Sequence, residues 1–389
     1  MKISWRYLLI PAFSMLALFI ADKAFLIPEV RDSFLQPGGM VYYRQRMRQI
    51  GKFQDFARKK PEGVKLMVVM GDSRAFPIGN LPAHYIGKKE WRIFNFAGPQ
   101  ASPAYFNYLA GRLFVPDTKP QYLVLEVSPE AFNRNTGILG STVLNHGTTG
   151  DYVDEVRTMI PSADLDDYAS TRRFALYGLP FSMRDLYLRT RGTFFPQKIK
   201  TPIDAIPFEQ LASGFQNIYG PAIEWQQGLM TSMRNAQKHN LDLYSLDKSH
   251  EVQFLDLMNG GQYVWYGTAT DEQLKADTDR IAGLYLKRFQ VSEEQVYFFL
   301  ATLDRARAEG IQTIVYWPQV NPHLEKLLDQ DERIAILKRR LTRDAEERGA
   351  RVFDLGSLKQ TRCANFYDAS HLSIQCFPAI TGFLLDQFK

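Results

Sequence analysis

Lys65-Leu66-Met67-Val68-Val69-Met70-Gly71-Asp72-Ser73-Arg74 is the stretch on which the reading of the fold turns. Leu66 to Met70 form a short apolar run with a charge before it and a glycine after it. Such a run suits a strand buried on both faces of a parallel sheet. Gly71 allows a tight turn, which leaves Ser73 at the strand's C-terminal edge, where open α/β sheets bind their ligands. A second reading is a helix cap, because Asp or Ser after a strand often starts a helix.

Two similar runs follow at intervals of ~30 residues, the spacing of βαβ units in a parallel sheet. Trp91 to Phe96 ends at Asn95-Phe96-Ala97-Gly98-Pro99, and Tyr122 to Val127 ends at Ser128-Pro129. A helix over Ser102 to Phe114 lies between them. The rhythm lapses over residues 135–270 and returns with strands at Ile311 to Trp317 and Arg351 to Leu355. Helical patterns cover 272–289, 292–309 and 328–349, with a closing helix over Phe377 to Phe388. The sequence therefore predicts an α/β domain over 61–389. It is interrupted by a long, mainly helical insertion at about 135–270 that lies over the strand ends as a lid or partner surface.

Lys2 and Arg6 precede an apolar run from Tyr7 to Ala21, closed by Asp22 and Lys23. This is the pattern of an export signal or signal anchor. Cleavage after Ala21 or Ala24 would place Phe19 or Asp22 three residues upstream, and neither makes a small-x-small site. A retained membrane anchor over 1–27 is expected, with the main domain outside the cytoplasm. Pro28, Pro37, Gly38 and Gly39 mark a linker, and 41–60 reads as a basic amphipathic juxtamembrane helix with a solvated face. The chain carries 47 Lys and Arg against 42 Asp and Glu, with no basic block, so no nucleic-acid partner is expected.

The last strand is followed by Cys363-Ala-Asn-Phe-Tyr367-Asp368-Ala-Ser-His371. A serine hydroxyl needs an adjacent base to act as a nucleophile, and the base needs a third group to fix its tautomer. Asp368 and His371 can supply both, or Asp368 can instead hold the loop. Cys363 and Cys376 are the only cysteines and bracket this pair, so a disulfide is expected in an exported chain. It would close a loop of about 14 residues and contribute ~3 kcal/mol in the chain-entropy model. His84, His146, His239, His250 and His323 show no ligand spacing, and no phosphate-binding glycine motif occurs. No metal or other cofactor is expected.

On Gly-Asp-Ser after the first strand and Asp-x-x-His before the last helix, the chain resembles the SGNH (GDSL-like) hydrolase superfamily. The resemblance covers roughly 64–134 and 311–389. It implies a flavodoxin-like three-layer α/β/α fold with Ser73 as nucleophile, His371 as general base and Asp368 as its orienter. It also implies an oxyanion hole from the Ser73 N–H and Gly98. The family's third block, Gly-x-Asn-Asp, is absent; Glu126-Val-Ser-Pro-Glu130-Ala-Phe-Asn133 stands there, which leaves open Asn133 as a substitute donor, a two-donor hole or an unusual third donor.

With its anchor, the chain is similar to the D-alanyl transfer protein of teichoic acid modification and to the SGNH-like proteins of alginate O-acetylation. That implies an acyl-serine passing an acyl group to a cell-surface polysaccharide or glycolipid, beside a membrane-bound O-acyltransferase. The alternatives are a plain carbohydrate esterase and a non-catalytic protein that binds glycan or partner.

Overall fold

The structure, a computed structural model, describes residues 6–27, 38–137, 139–175, 254–256, 262–264 and 269–388. Most of the expected insertion, with His239 and His250, lies outside the described residues. So do Lys2 and the linker prolines.

In chain order the helices and strands begin with α1 (Arg6–Leu26), α2 (Gly38–Arg58), β1 (Lys65–Met70), α3 (Asn80–Tyr85) and β2 (Trp91–Asn95). Next come α4 (Pro103–Leu113), β3 (Tyr122–Glu126), α5 (Gly150–Glu155) and α6 (Ser162–Arg173). A π-helical stretch, Leu139–Gly147, precedes α5. A short antiparallel hairpin, β4 (Phe254–Asp256) with β5 (Gln262–Val264), follows. The chain closes with α7 (Asp271–Ile281), α8 (Glu293–Ala308), β6 (Gln312–Trp317), α9 (Pro322–Gln330), α10 (Glu332–Glu346), β7 (Arg351–Asp354) and α11 (Phe377–Asp386).

β1, β2, β3, β6 and β7 form one parallel sheet of five strands in the order β2-β1-β3-β6-β7. Each of these strands follows one of the apolar runs read in the sequence. Side chains alternate between the sheet faces with period two, and both faces are covered. Leu66, Val68, Met70, Leu123, Leu125, Val315 and Trp317 enter a core shared with α2, α4, α8 and α10. Met67, Val69, Tyr122, Val124, Ile314 and Tyr316 enter a second core with α11 and the 366–376 loop. This double burial explains why the strands read as continuous apolar runs. The order reverses between β1 and β3, opening a crevice at their carboxyl ends.

One expected helix differs in the structure and another agrees with its expected face. The helix expected over 328–349 is two helices, because the Asp331 carboxylate accepts the Arg333 N–H and caps a new start. The basic helix expected to show a solvated face is α2: Arg48, Lys52, Asp55 and Arg58 are exposed, and the opposite face packs into the core. Tyr43, Arg46 and Phe53 on it are fully buried, and Phe53 meets Phe94 and Phe96 edge-on.

α1 is long and apolar enough to cross a membrane. Most of its side chains from Leu9 to Ile20 are exposed, so the protein body does not cover them.

Candidate functional site

β1 delivers Ser73 and the loop after β7 delivers Asp368 and His371 to the same carboxyl edge of the sheet. Ser73 Oγ lies 2.7 Å from His371 Nε2. His371 Nδ1 lies 2.8 and 2.7 Å from the two Asp368 carboxylate oxygens. A carboxylate only accepts, so Nδ1 carries the proton and the Nε2 lone pair faces the Ser73 hydroxyl. Burial raises the Asp368 carboxyl, but the His371 charge, its hydrogen bond and the Ser370 and His371 backbone N–H groups outweigh it. They hold its pKa at about 2. Asp368 therefore stays ionised and fixes the imidazole.

The turn that presents Ser73 rests on buried charge. A Cβ on Gly71 would lie 2.6 Å from Glu126 Cβ, so only glycine permits β3 to come this close. Asp72 caps the 3₁₀ turn Ser73–Ala75 by accepting the Arg74 N–H at 2.7 Å. Its other oxygen accepts from Arg74 Nη1 and Ser128 Oγ. Arg74 turns inward and donates through both terminal nitrogens to Glu130. Burial opposes the guanidinium charge, but Glu130, Asp72 and Glu126 prevail, so its pKa is raised.

One guanidinium faces three carboxyls here, and the Glu126 carboxyl is shifted upward. Burial and the adjacent Asp72 push its pKa well above the usual range, against the pull of Arg74. Glu126 Oε2 accepts the Asp72 N–H at 2.6 Å. Past the turn, buried Asn95 donates to the Ala75, Phe76 and Ile78 carbonyls, tying the chain after Ser73 to the end of β2.

The loop opposite is held by different means. Cys363 and Cys376 are joined in a disulfide, Cα to Cα 5.7 Å, that brackets Asp368 and His371. Ala369, between Asp368 and His371, donates its N–H to Asp277 on α7 at 3.0 Å. Its carbonyl accepts the Asn321 side-chain amide at 2.6 Å. Asn321 is fully buried and also caps α9. Gln319 makes a two-way amide pair with the Cys363 backbone.

The other two expected oxyanion donors have hydrogen-bond partners of their own. Gly98 donates its N–H to Gly71 O at 3.1 Å. A Cβ there would lie 2.7 Å from the Tyr43 ring, which gives its lack of a side chain a packing reason. The Asn133 amide donates to Tyr285 O, and its oxygen accepts the Asn135 and Gln290 N–H groups. Asn133 thus pins the 285–290 segment. The Ser73 N–H has no hydrogen-bond partner among the described residues.

Asp277, Asn321, Glu126 and Glu130 are the residues that sequence reasoning missed. Only Glu126, a lone acid ending an apolar strand, gave a signal.

Fold and site together define a mixed α/β protein with a parallel sheet whose carboxyl edge holds a hydrogen-bonded Ser–His–Asp chain. The chain belongs to the DUF1574 family, whose model, described as "Protein of unknown function (DUF1574)", matches residues 2–388. No curated protein matches it.

Proposed function

We propose that this chain is an SGNH-like acyltransferase, a three-layer α/β/α domain over 61–389 carrying an insertion at about 135–270. It is tethered by its N-terminal helix and works outside the cytoplasm. The observation that carries this reading is the unbroken chain from Ser73 Oγ through His371 to ionised Asp368. The strand order, which is flavodoxin-like, and the cores on both sheet faces support the layered arrangement.

In the proposed reaction Ser73 Oγ attacks the acyl carbonyl while His371 Nε2 takes the hydroxyl proton. The imidazolium, stabilised by Asp368, gives that proton to the departing donor group, leaving an acyl-serine. An acceptor hydroxyl on a surface polysaccharide or glycolipid then attacks, its proton passes to Nε2, and Ser73 is released protonated. A membrane-bound O-acyltransferase is the proposed donor-side partner. The Ser73 N–H is the proposed oxyanion donor, and such donors are typically worth ~3 kcal/mol each.

Because Gly98 and Asn133 are engaged elsewhere, a second reading has support of its own: a member of this fold that binds glycan without turnover. Incubation with an activated acetyl ester, followed by peptide mass spectrometry, separates the two. Acyl transfer gives an acetyl adduct on Ser73, and the binding reading gives none. Accumulation of acetylated acceptor distinguishes transfer from simple hydrolysis.

A further inference from the structure

We infer that the sheet edge carrying Ser73 faces the membrane that holds α1, so that the site takes an acyl donor presented at the bilayer surface. The donor clause rests on the acyl-transfer reading above; the orientation does not.

A continuous run of contacts links the anchor to the site. Lys23, near the C-terminal end of α1, donates to the Arg173 carbonyl and stacks on Phe174, 4.4 Å from its ring. These residues end α6. Arg172 and Tyr168 on α6 lie against Gly150, and nearby Gly147 packs under the Tyr43 ring. Tyr43 then donates its hydroxyl to Pro99 O at 2.9 Å, beside Gly98, whose N–H meets Gly71 O. Gly71 is two residues from Ser73.

α2 gives the same direction independently. Tyr43, near its start, sits at the carboxyl end of β2, whereas Phe56, near its end, packs on Phe94 and Arg92 within the strand. The start of α2 therefore lies at the Ser73 edge, and α2 runs away from that edge.

The junction has the chemistry of a bilayer interface. Arg172 and Arg173 gather there with Lys23, which is itself paired to buried Asp22 at 3.0 Å, and exposed Phe174 lies beside the apolar length of α1. Cations suit anionic headgroups, and an aromatic ring suits the boundary between headgroup and acyl chain.

The test uses the full chain in vesicles of phosphatidylcholine and phosphatidylglycerol carrying a headgroup acceptor dye. Both native cysteines are bridged, so one added thiol takes one fluorophore, in Gln100→Cys at the Ser73 edge or Lys89→Cys at the opposite edge. Energy transfer is expected to place the Gln100 fluorophore nearer the headgroups by roughly the length of the intervening strand, ~17 Å. Equal distances, or a nearer Lys89 fluorophore, would overturn the orientation. Repeating the pair in a Ser73→Ala background keeps the readout independent of any chemistry. If the expected distances hold while Ser73 fails to take an acyl group, the acyl-transfer reading alone falls.

Discussion

The two arms that meet at the Ser73–His371 hydrogen bond are built on opposite principles. The Ser73 turn stands on buried charge: Arg74 against Glu130 and Asp72, with the Glu126 carboxyl, its pKa raised by burial, beneath them. The Asp368–His371 loop stands on a covalent bridge and on clamps at Ala369 from Asp277 and Asn321. A nucleophile must be held against the backbone of a strand, where no crosslink is at hand. A general base on a long loop gains most from a crosslink and from backbone clamps. The difference predicts that the first arm responds to charge and pH, and the second to redox conditions.

The largest effect is expected on the charged arm. Arg74→Met strands Glu130 and Asp72 without their cation and should cost about 3–5 kcal/mol in urea unfolding. A loss under about 1 kcal/mol would show that the cluster contributes little to holding the turn. On the other arm, replacing both cysteines by alanine, or reducing the bridge, should cost about 3 kcal/mol. Acylation of Ser73 should slow more than the loss of folded protein explains, because the loop carries the base. Arg74→Met should show no sensitivity to reductant beyond that of wild type.

Asp277→Ala removes the acceptor for the Ala369 N–H and should cost about 1.5–3 kcal/mol. It acts through His371, so it should lower the rate of Ser73 acylation with little change in the KM for an acyl ester. Asp277→Asn, which keeps an acceptor oxygen, should restore most of that rate.

The smallest effects are in pH. Folding raises the Glu126 pKa above its ordinary 4.5. Its contribution is therefore fully present below 4.5 and declines as pH rises toward the folded value. Glu126→Gln should flatten that decline while keeping the acceptor for Asp72. Asp368 has the opposite sign, with a folded pKa of about 2 against 3.8. Its contribution is present above 3.8 and lost as pH falls through about 2, and Asp368→Asn should remove that acid limb from a denaturation profile.

The sheet was legible because burial on both faces writes continuous apolar runs, and the Ser, Asp and His candidates because each ends or follows a strand. The supports were not legible. Asp277 and Asn321 lie 92 and 48 residues from Ala369, and nothing local marks an acid or an amide that will clamp a distant backbone. Arg46 read as one of several solvated cations, yet it is buried with its Nε on the Ala97 carbonyl. Gly98 and Asn133 were assigned by resemblance alone, and nothing local marks the hydrogen bonds they make to Gly71 and to the 285–290 segment.

The account stands on Ser73 as a nucleophile activated by His371 and Asp368. A fluorophosphonate probe on the full chain measures this directly. Wild type should label, Ser73→Ala should not, and Asp368→Asn should label about 10⁴-fold more slowly, as expected when the imidazole loses its orienting carboxylate. Equal labelling of wild type and Ser73→Ala, or none of wild type, would contradict it.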